Sequence, residues 1–143
     1  MQTFLPYPNY DRCAGVLDNR RLGKQRVECL QILKALLDPS AKGWVNHPAV
    51  RMWRGYEREL IDYGIVMCQA WLGRGFDDTC QGKIMSWLCD TSDVSHEAPH
   101  WLDGDTGKLV CLSHQSNLIR KDPAHYAPLF PGIPNNLEYV WPV

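Results

Sequence analysis

Leu17–Leu37, LDNRRLGKQRVECLQILKALL, decides the fold of this chain. Asp18 or Asn19 can cap its start, since a short polar side chain there accepts a bond from the first free amides of a helix. Leu22, Cys29, Leu33 and Leu36, joined by Ile32 and Leu37, recur at helical spacing and give one buried face. The opposite face is cationic: Arg20, Arg21, Lys24 and Arg26 crowd the first turns. Arg21, Lys24, Glu28 and Gln31 are three or four positions apart and share one strip of surface. A lone carboxylate within such a strip is either a solvated ion-pair partner or the one acid that a reactive site needs.

Outward from this helix, the 143 residues fit one ordinary domain with a core of its own, spanning 1–143. A hydrophobic content of 45%, with six Trp and six Tyr, argues against disorder. No apolar run approaches the roughly 18 residues of a membrane span. The first residues lack the basic-then-apolar build of a signal peptide, so a cytoplasmic monomer with no membrane association is expected. The six cysteines form no C-x-x-C pair and read as small buried apolar residues. A zinc set of Cys80, Cys89, His96 and His100 has the wrong Cys spacing for a finger, so neither metal nor cofactor is expected. Net charge is −1, but residues 1–60 carry ten Lys/Arg against six Asp/Glu while 61–111 carry three against eight. That asymmetry permits a small cationic footprint on an otherwise neutral chain.

In chain order, Met1–Pro8 is apolar and broken by Pro6 and Pro8, which predicts an extended segment lying across the body. Asp11 is expected to cap a short turn of helix before the long one. Asp38, Pro39, Ser40 and Gly43 open a loop. Asn46-His47-Pro48 then starts a second long helix, with Asn46 as its cap, running to about Leu72. Val50, Trp53, Leu60, Met67, Cys68 and Trp71 would face the core. Asp78-Thr79 restarts a shorter helix that also buries Trp87, residues 90–107 read as an acidic surface loop, and a fourth helix spans about Leu109–Lys121 before Pro123. The tail, rich in proline and aromatic residues, should wrap around the helices. The expected class is all-α, a compact bundle of about four helices. Arg12, Arg58 and Arg74 are expected to be solvated.

No nucleophile elbow, phosphate-binding loop, zinc-protease motif or dinucleotide fingerprint occurs. What remains is a constellation: Lys24 and Glu28 one turn apart, His47 entering the second helix, and Ser113-His114-Gln115-Ser116 followed by Arg120-Lys121. On the residues alone His47, beside Pro48, reads as a capping or packing histidine before a catalytic group. His114 and Ser116 read equally as phosphate contacts or as helix decoration.

The L-x-x-x-x-x-E run from Leu22 to Glu28, the His47 helix leading to Arg74-Gly75-Phe76-Asp77-Asp78-Thr79, and P-x-H-Y at Pro123–Tyr126 together resemble the phage-type pyrimidine dimer DNA glycosylases. Small phage and bacterial relatives of that family resemble the chain further in the Lys24/Glu28/Gln31 strip and the Asn46-His47-Pro48 helix start. The resemblance implies a compact helical enzyme acting on damaged or modified double-stranded DNA. Such an enzyme flips a nucleotide, attacks the sugar C1′ with an amine and cleaves the backbone through a Schiff base. It implies Glu28 as the essential carboxylate. The chemistry wants an amine that is partly neutral near pH 7 beside an acid that moves protons. It also wants cations for phosphate, here Arg20, Arg21, Arg26, Arg51, Arg54, Arg120 and Lys121, and an aromatic such as Tyr126 against the bases.

One departure stands out. The family's nucleophile is the α-amine of a threonine exposed by removal of the initiator Met, and position 2 here is Gln. The amine is then that of Met1, whose class has an unperturbed pKa of about 8, or of Lys24, at about 10.4 before neighbouring cations act on it. With neither, the protein is a monofunctional glycosylase or a non-catalytic nucleic-acid-binding protein. A nucleotide or nucleoside enzyme using Lys24, Glu28, His47 and His114 around one pocket is the further alternative.

Overall fold

The computed structural model describes residues 1–143. It is all-α, with seven α-helices and no strand. Three are long, α2 (Asn19–Leu37), α4 (Glu57–Gly73) and α6 (Gly104–Lys121), and four are short: α1 (Tyr10–Val16), α3 (Pro48–Arg51), α5 (Gln81–Met85) and α7 (Pro123–Tyr126). No helix is long and apolar enough to cross a membrane.

The decisive stretch folds as its pattern requires. Asp18 caps α2 by accepting from the Arg21 amide, and Leu22, Cys29, Ile32 and Leu33 are buried. The same buried stripe carries a polar member, Gln25. Helix α4 packs on α2 more extensively than any other pair. Gly64 makes the approach possible: a Cβ there would lie 2.5 Å from Cys29 Sγ and 3.0 Å from Ile84 Cδ1. The Cys29 thiol donates to the Leu60 carbonyl at 3.3 Å, a contact of interior type. All six cysteines are free, and five are buried.

The expected single helix from Asn46 to Leu72 is two helices. The i→i−4 ladder of α3 stops at Met52, tighter bonds from Trp53 to Val50 and Arg54 to Arg51 follow, and the chain then turns at Gly55, φ +89°, into α4. The cap of α3 is His47, not Asn46: its Nδ1 accepts the Ala49 amide at 3.0 Å. Asn9 rather than Asp11 caps α1, accepting the Arg12 amide at 2.9 Å. Asp78 accepts the Gln81 amide at 2.8 Å at the start of α5. The acidic stretch expected as loop holds two 3-10 turns, Leu88–Thr91 and His100–Leu102, and α6 begins five residues early at Gly104. Gly107 lets its first turn press onto the second of these, since a Cβ would fall 2.0 Å from the Leu102 carbonyl oxygen. Trp53 is fully buried and Trp71 and Trp87 half so. Arg74 is not solvated: its guanidinium donates to Asn19 Oδ1 and the Ala14 carbonyl, both at 2.9 Å, and ties the end of α4 to α1 and α2.

Both chain ends are strapped to this scaffold, as their composition suggested. Residues 2–6 are buried and extended over α2, α4 and α6. The tail lies along α6, where the Leu137 amide donates to Ser116 Oγ at 3.0 Å and the Val140 amide to Ser113 Oγ at 3.1 Å. Asn117 Nδ2 donates to the Leu137 carbonyl at 3.1 Å and Arg120 to that of Asn135 at 3.1 Å.

Candidate active site in a cationic cleft

Buried backbone polar groups must find partners, and the N-terminal strap shows where they go. The Phe4 amide donates to Gln25 Oε1 at 2.8 Å, and Gln25 Nε2 donates back to the Gln2 carbonyl at 3.0 Å. The Tyr63 hydroxyl reaches Gln25 Oε1 at 2.6 Å and the Phe4 carbonyl at 2.9 Å. The Leu5 amide donates to His114 Nδ1 at 2.8 Å, and Trp53 Nε1 to Thr3 Oγ1 at 3.0 Å. Four core side chains therefore hold successive residues of one extended segment.

The segment leads directly to Glu28. The Gln2 amide donates to Glu28 Oε2 at 3.3 Å, and Gln25 Nε2 donates to the same oxygen at 3.1 Å. Lys24 Nζ lies 4.0 Å from the other oxygen, Oε1. The Glu28 side chain is 12% exposed and that of Lys24 71%, so the acid is held while the lysine is free to move. Met1 is half-buried, one residue from the amide that Glu28 holds. Met1, Gln2 and Glu28 line a cleft of about 320 Å³ with Arg20, Arg21, Lys24, Lys121 and Tyr139. Desolvation, followed by Arg21, Lys24 and Arg120, holds the Lys121 amine below its ordinary pKa. Burial pushes the Tyr139 phenol up to about 12, so it faces the cleft as a neutral hydroxyl.

Of the expected site residues, Met1, Lys24, Glu28, Arg20, Arg21 and Lys121 meet at this cleft. Arg51 and Arg54 are exposed on and just after α3, outside it. His47 spends its Nδ1 lone pair on the cap of α3, which puts the proton of the neutral ring on Nε2. Burial, and then the Met1 ammonium, lower its pKa, so it is neutral near pH 7 with no free lone pair for a base. Five of the expected DNA contacts are committed elsewhere. His114 is fully buried and held neutral, its pKa pulled down to about 3 by burial, and it anchors Leu5 instead of a phosphate. Ser116, also buried, holds the tail. Tyr126 is a core residue whose hydroxyl donates to Asp18 Oδ1 and accepts the Asp18 amide at 3.0 Å. Arg26 pairs with Asp78 and lies over the Trp71 ring at 4.5 Å. Arg120 is exposed but donates to Asn117 and the Asn135 carbonyl.

Gln2, Gln25, Tyr63 and Tyr139 belong to the site and were not among the expected residues. Gln25 alone left a signal in the sequence, an amide three residues after Leu22 on an otherwise apolar stripe. The Cys80, Cys89, His96 and His100 set is not gathered. His96 Nε2 instead meets Glu59, at 3.1 Å, and Asp62 on α4, where Tyr10 donates to Glu59 at 3.0 Å.

On this all-α scaffold, a half-buried carboxylate sits in a collar of amines and guanidinium groups, a cleft of net positive charge. Residues 1–83 match the family model described as pyrimidine dimer DNA glycosylase, and the chain belongs to that family. Membership gives it that kind of function, in DNA repair, with DNA as the substrate. No curated protein and no solved structure matches the chain.

Proposed function

We propose that the protein is a DNA glycosylase with abasic-site lyase activity that binds damaged or modified double-stranded DNA and works on a flipped nucleotide, with Glu28 as the essential carboxylate. The Met1 α-amine is the nucleophile, ahead of Lys24. The amine lone pair joins C1′ as the C1′–N glycosidic bond breaks, and the base leaves with the electron pair and takes up a proton. The amine gives up one proton to Glu28, the ring oxygen O4′ takes one as the sugar opens, and C1′=N remains as the iminium. Loss of a C2′ proton then expels the 3′ phosphate, and water returns the free amine. A carboxylate beside the sugar both stabilises the developing positive charge and carries these protons.

One observation carries the assignment: four core side chains pin residues 2–5, and the Gln2 amide next to the N-terminus donates to Glu28, a carboxylate that also accepts from Gln25. Arg20, Arg21, Lys24 and Lys121 around it suit the flanking phosphates. Residues 1–143 act as one domain, since the cleft draws on Met1 and Gln2 at one end and on Lys121 and Tyr139 at the other. The enzyme acts as a monomer, and six unpaired cysteines suit the reducing cytoplasm.

The test is borohydride trapping on duplex DNA carrying an abasic site or a cyclobutane dimer, followed by mass mapping of the linked residue. An adduct at Met1, lost in Glu28→Gln, is the expected result. An adduct at Lys24 moves the nucleophile to α2, one turn before Glu28, and one at Lys121 refutes the strap argument. Binding without an adduct makes the protein a monofunctional glycosylase or a non-catalytic binder; absence of binding turns the cleft over to a nucleotide ligand.

A further inference from the structure

Between α2 and α3 the chain makes a loop that costs more than it returns. Trp44, with φ +66°, is the only residue other than glycine in the left-handed region, a conformation that bulky side chains rarely adopt. The fold does not recover this by burying the ring, because Trp44 is 62% exposed, more than any other large hydrophobic residue. Strain that burial does not offset is a sign that the side chain is wanted where it is.

Its surroundings say for what. Trp44 walls a hollow of about 380 Å³ with Gln31, Lys34, Asp38, Ser40 and Lys42. Asp38 Oδ1 accepts the Ser40 amide at 2.9 Å and the Ser40 hydroxyl at 2.7 Å, so that carboxylate is held by its own loop and the hollow sets two lysines against one acid. An aromatic face between two exposed amines offers one partner for a base and two for phosphate. The hollow is also in line with the Glu28 cleft. Gln31 and Lys34 continue along α2 from Glu28: the hollow starts at Gln31, and at about 1.5 Å per residue its Lys34 lies roughly 9 Å from Glu28. That is about three nucleotide steps of a strand at ~3.4 Å each. Rings bridge the same gap: Trp44 to His47 at 5.5 Å between centroids, His47 to Trp141 at 5.8 Å, and Trp141 to Tyr139, on the cleft wall, at 5.4 Å.

We propose that the Trp44 hollow is a second nucleotide-binding site, in which Trp44 stacks on an unpaired base a few positions from the reacting sugar while Lys34 and Lys42 hold its phosphates. The inference rests on the DNA reading of the Glu28 cleft. Stacking tolerates any base, so the site selects unpaired over paired DNA and not one sequence over another.

Fluorescence anisotropy tests it, with a labelled duplex containing a short unpaired bubble and the same duplex fully paired. Trp44→Ala should weaken binding to the bubble about tenfold or more and to the paired duplex less than about threefold, and Trp44→Phe should recover most of the loss. Lys42→Ala should flatten the salt dependence on the bubble. Trp44→Gly relieves the backbone, so it should bind like Trp44→Ala while its Tm holds or rises. Equal binding of both DNAs by Trp44→Ala and the parent overturns the proposal, and so does a fall in Tm in Trp44→Gly that parallels the lost affinity. A parent that binds neither DNA at any salt overturns the reading of the Glu28 cleft itself, a distinct outcome.

Discussion

Replacing Gln25 by Met keeps the length and reach of the side chain but removes both of its polar ends. In the parent, Gln25 is 1% exposed and serves the Phe4 amide, the Gln2 carbonyl, the Tyr63 hydroxyl and Glu28 Oε2. Tyr63 retains the Phe4 carbonyl at 2.9 Å, so its hydroxyl is not orphaned. The Phe4 amide and the Gln2 carbonyl are, and each unmet buried group costs about 1 to 3 kcal/mol. The expected loss is therefore about 2 to 6 kcal/mol, a large part of the roughly 5 to 15 kcal/mol of a typical domain. With a urea slope near 2 kcal/mol per M, the unfolding midpoint should drop by about 1 to 3 M. Glu28 also loses a donor, and the strap loosens where it meets the cleft. Borohydride trapping, measured below the new midpoint, should thus fall further than DNA affinity does. A midpoint within about 0.3 M of the parent, with trapping intact, would refute the argument that Gln25 is what seats the N-terminus.

Three further outcomes are expected. Glu28→Gln should lower turnover by about 10²-fold or more while leaving DNA affinity equal or slightly higher, since it removes a negative charge from a cationic cleft; single-turnover kinetics beside anisotropy would separate the two. Gly64→Ala should cost about 1 to 3 kcal/mol in urea unfolding, because its Cβ would meet Cys29 Sγ at 2.5 Å, and Cys29→Ala in the same chain should recover part of that. Burial acts to raise the Asp78 carboxyl, but bonds from the Gln81 amide and the Arg26 guanidinium win and leave its pKa lowered. Its contribution is then fully present above the unfolded value of about 3.9 and fades as pH falls through the lower folded one. Asp78→Asn should be less stable than the parent at pH 7, and the gap should narrow in acid; a constant difference from pH 7 to pH 2 in thermal melts would contradict the assignment.

Local pattern carried the long elements and failed where distant parts of the chain decide. The apolar period through Leu22, Cys29, Ile32 and Leu33 was enough for α2, and the cationic strip around Glu28 was visible because it needs nothing but helical geometry. The break between α3 and α4 is invisible to local pattern because a single glycine such as Gly55 is tolerated inside a helical pattern, and its φ of +89° is a property of the fold. His114 and Ser116 looked like surface groups because a polar side chain on a helix usually is one. Their burial depends on residues more than a hundred positions earlier and about twenty later, Leu5 and Leu137, which no local window connects. Tyr126 is hidden in the same way by Asp18. The family match ends at residue 83; beyond it Lys121 is legible as a cation next to Arg120, whereas Tyr139 joins the cleft through the fold alone.

The strap has a consequence for how an amine is delivered. A lysine brings its nitrogen on four methylene groups, and freezing that chain for reaction costs roughly 2 kcal/mol of rotamer entropy on each encounter. A backbone amine on a segment already fixed by Gln25, Tyr63, Trp53 and His114 has had its torsions frozen during folding, together with the core. With Met1 as the proposed nucleophile, the entropy of residues 2–5 is spent once per molecule instead of once per turnover, and the tightness of the hydrophobic interior bears on the reaction rate.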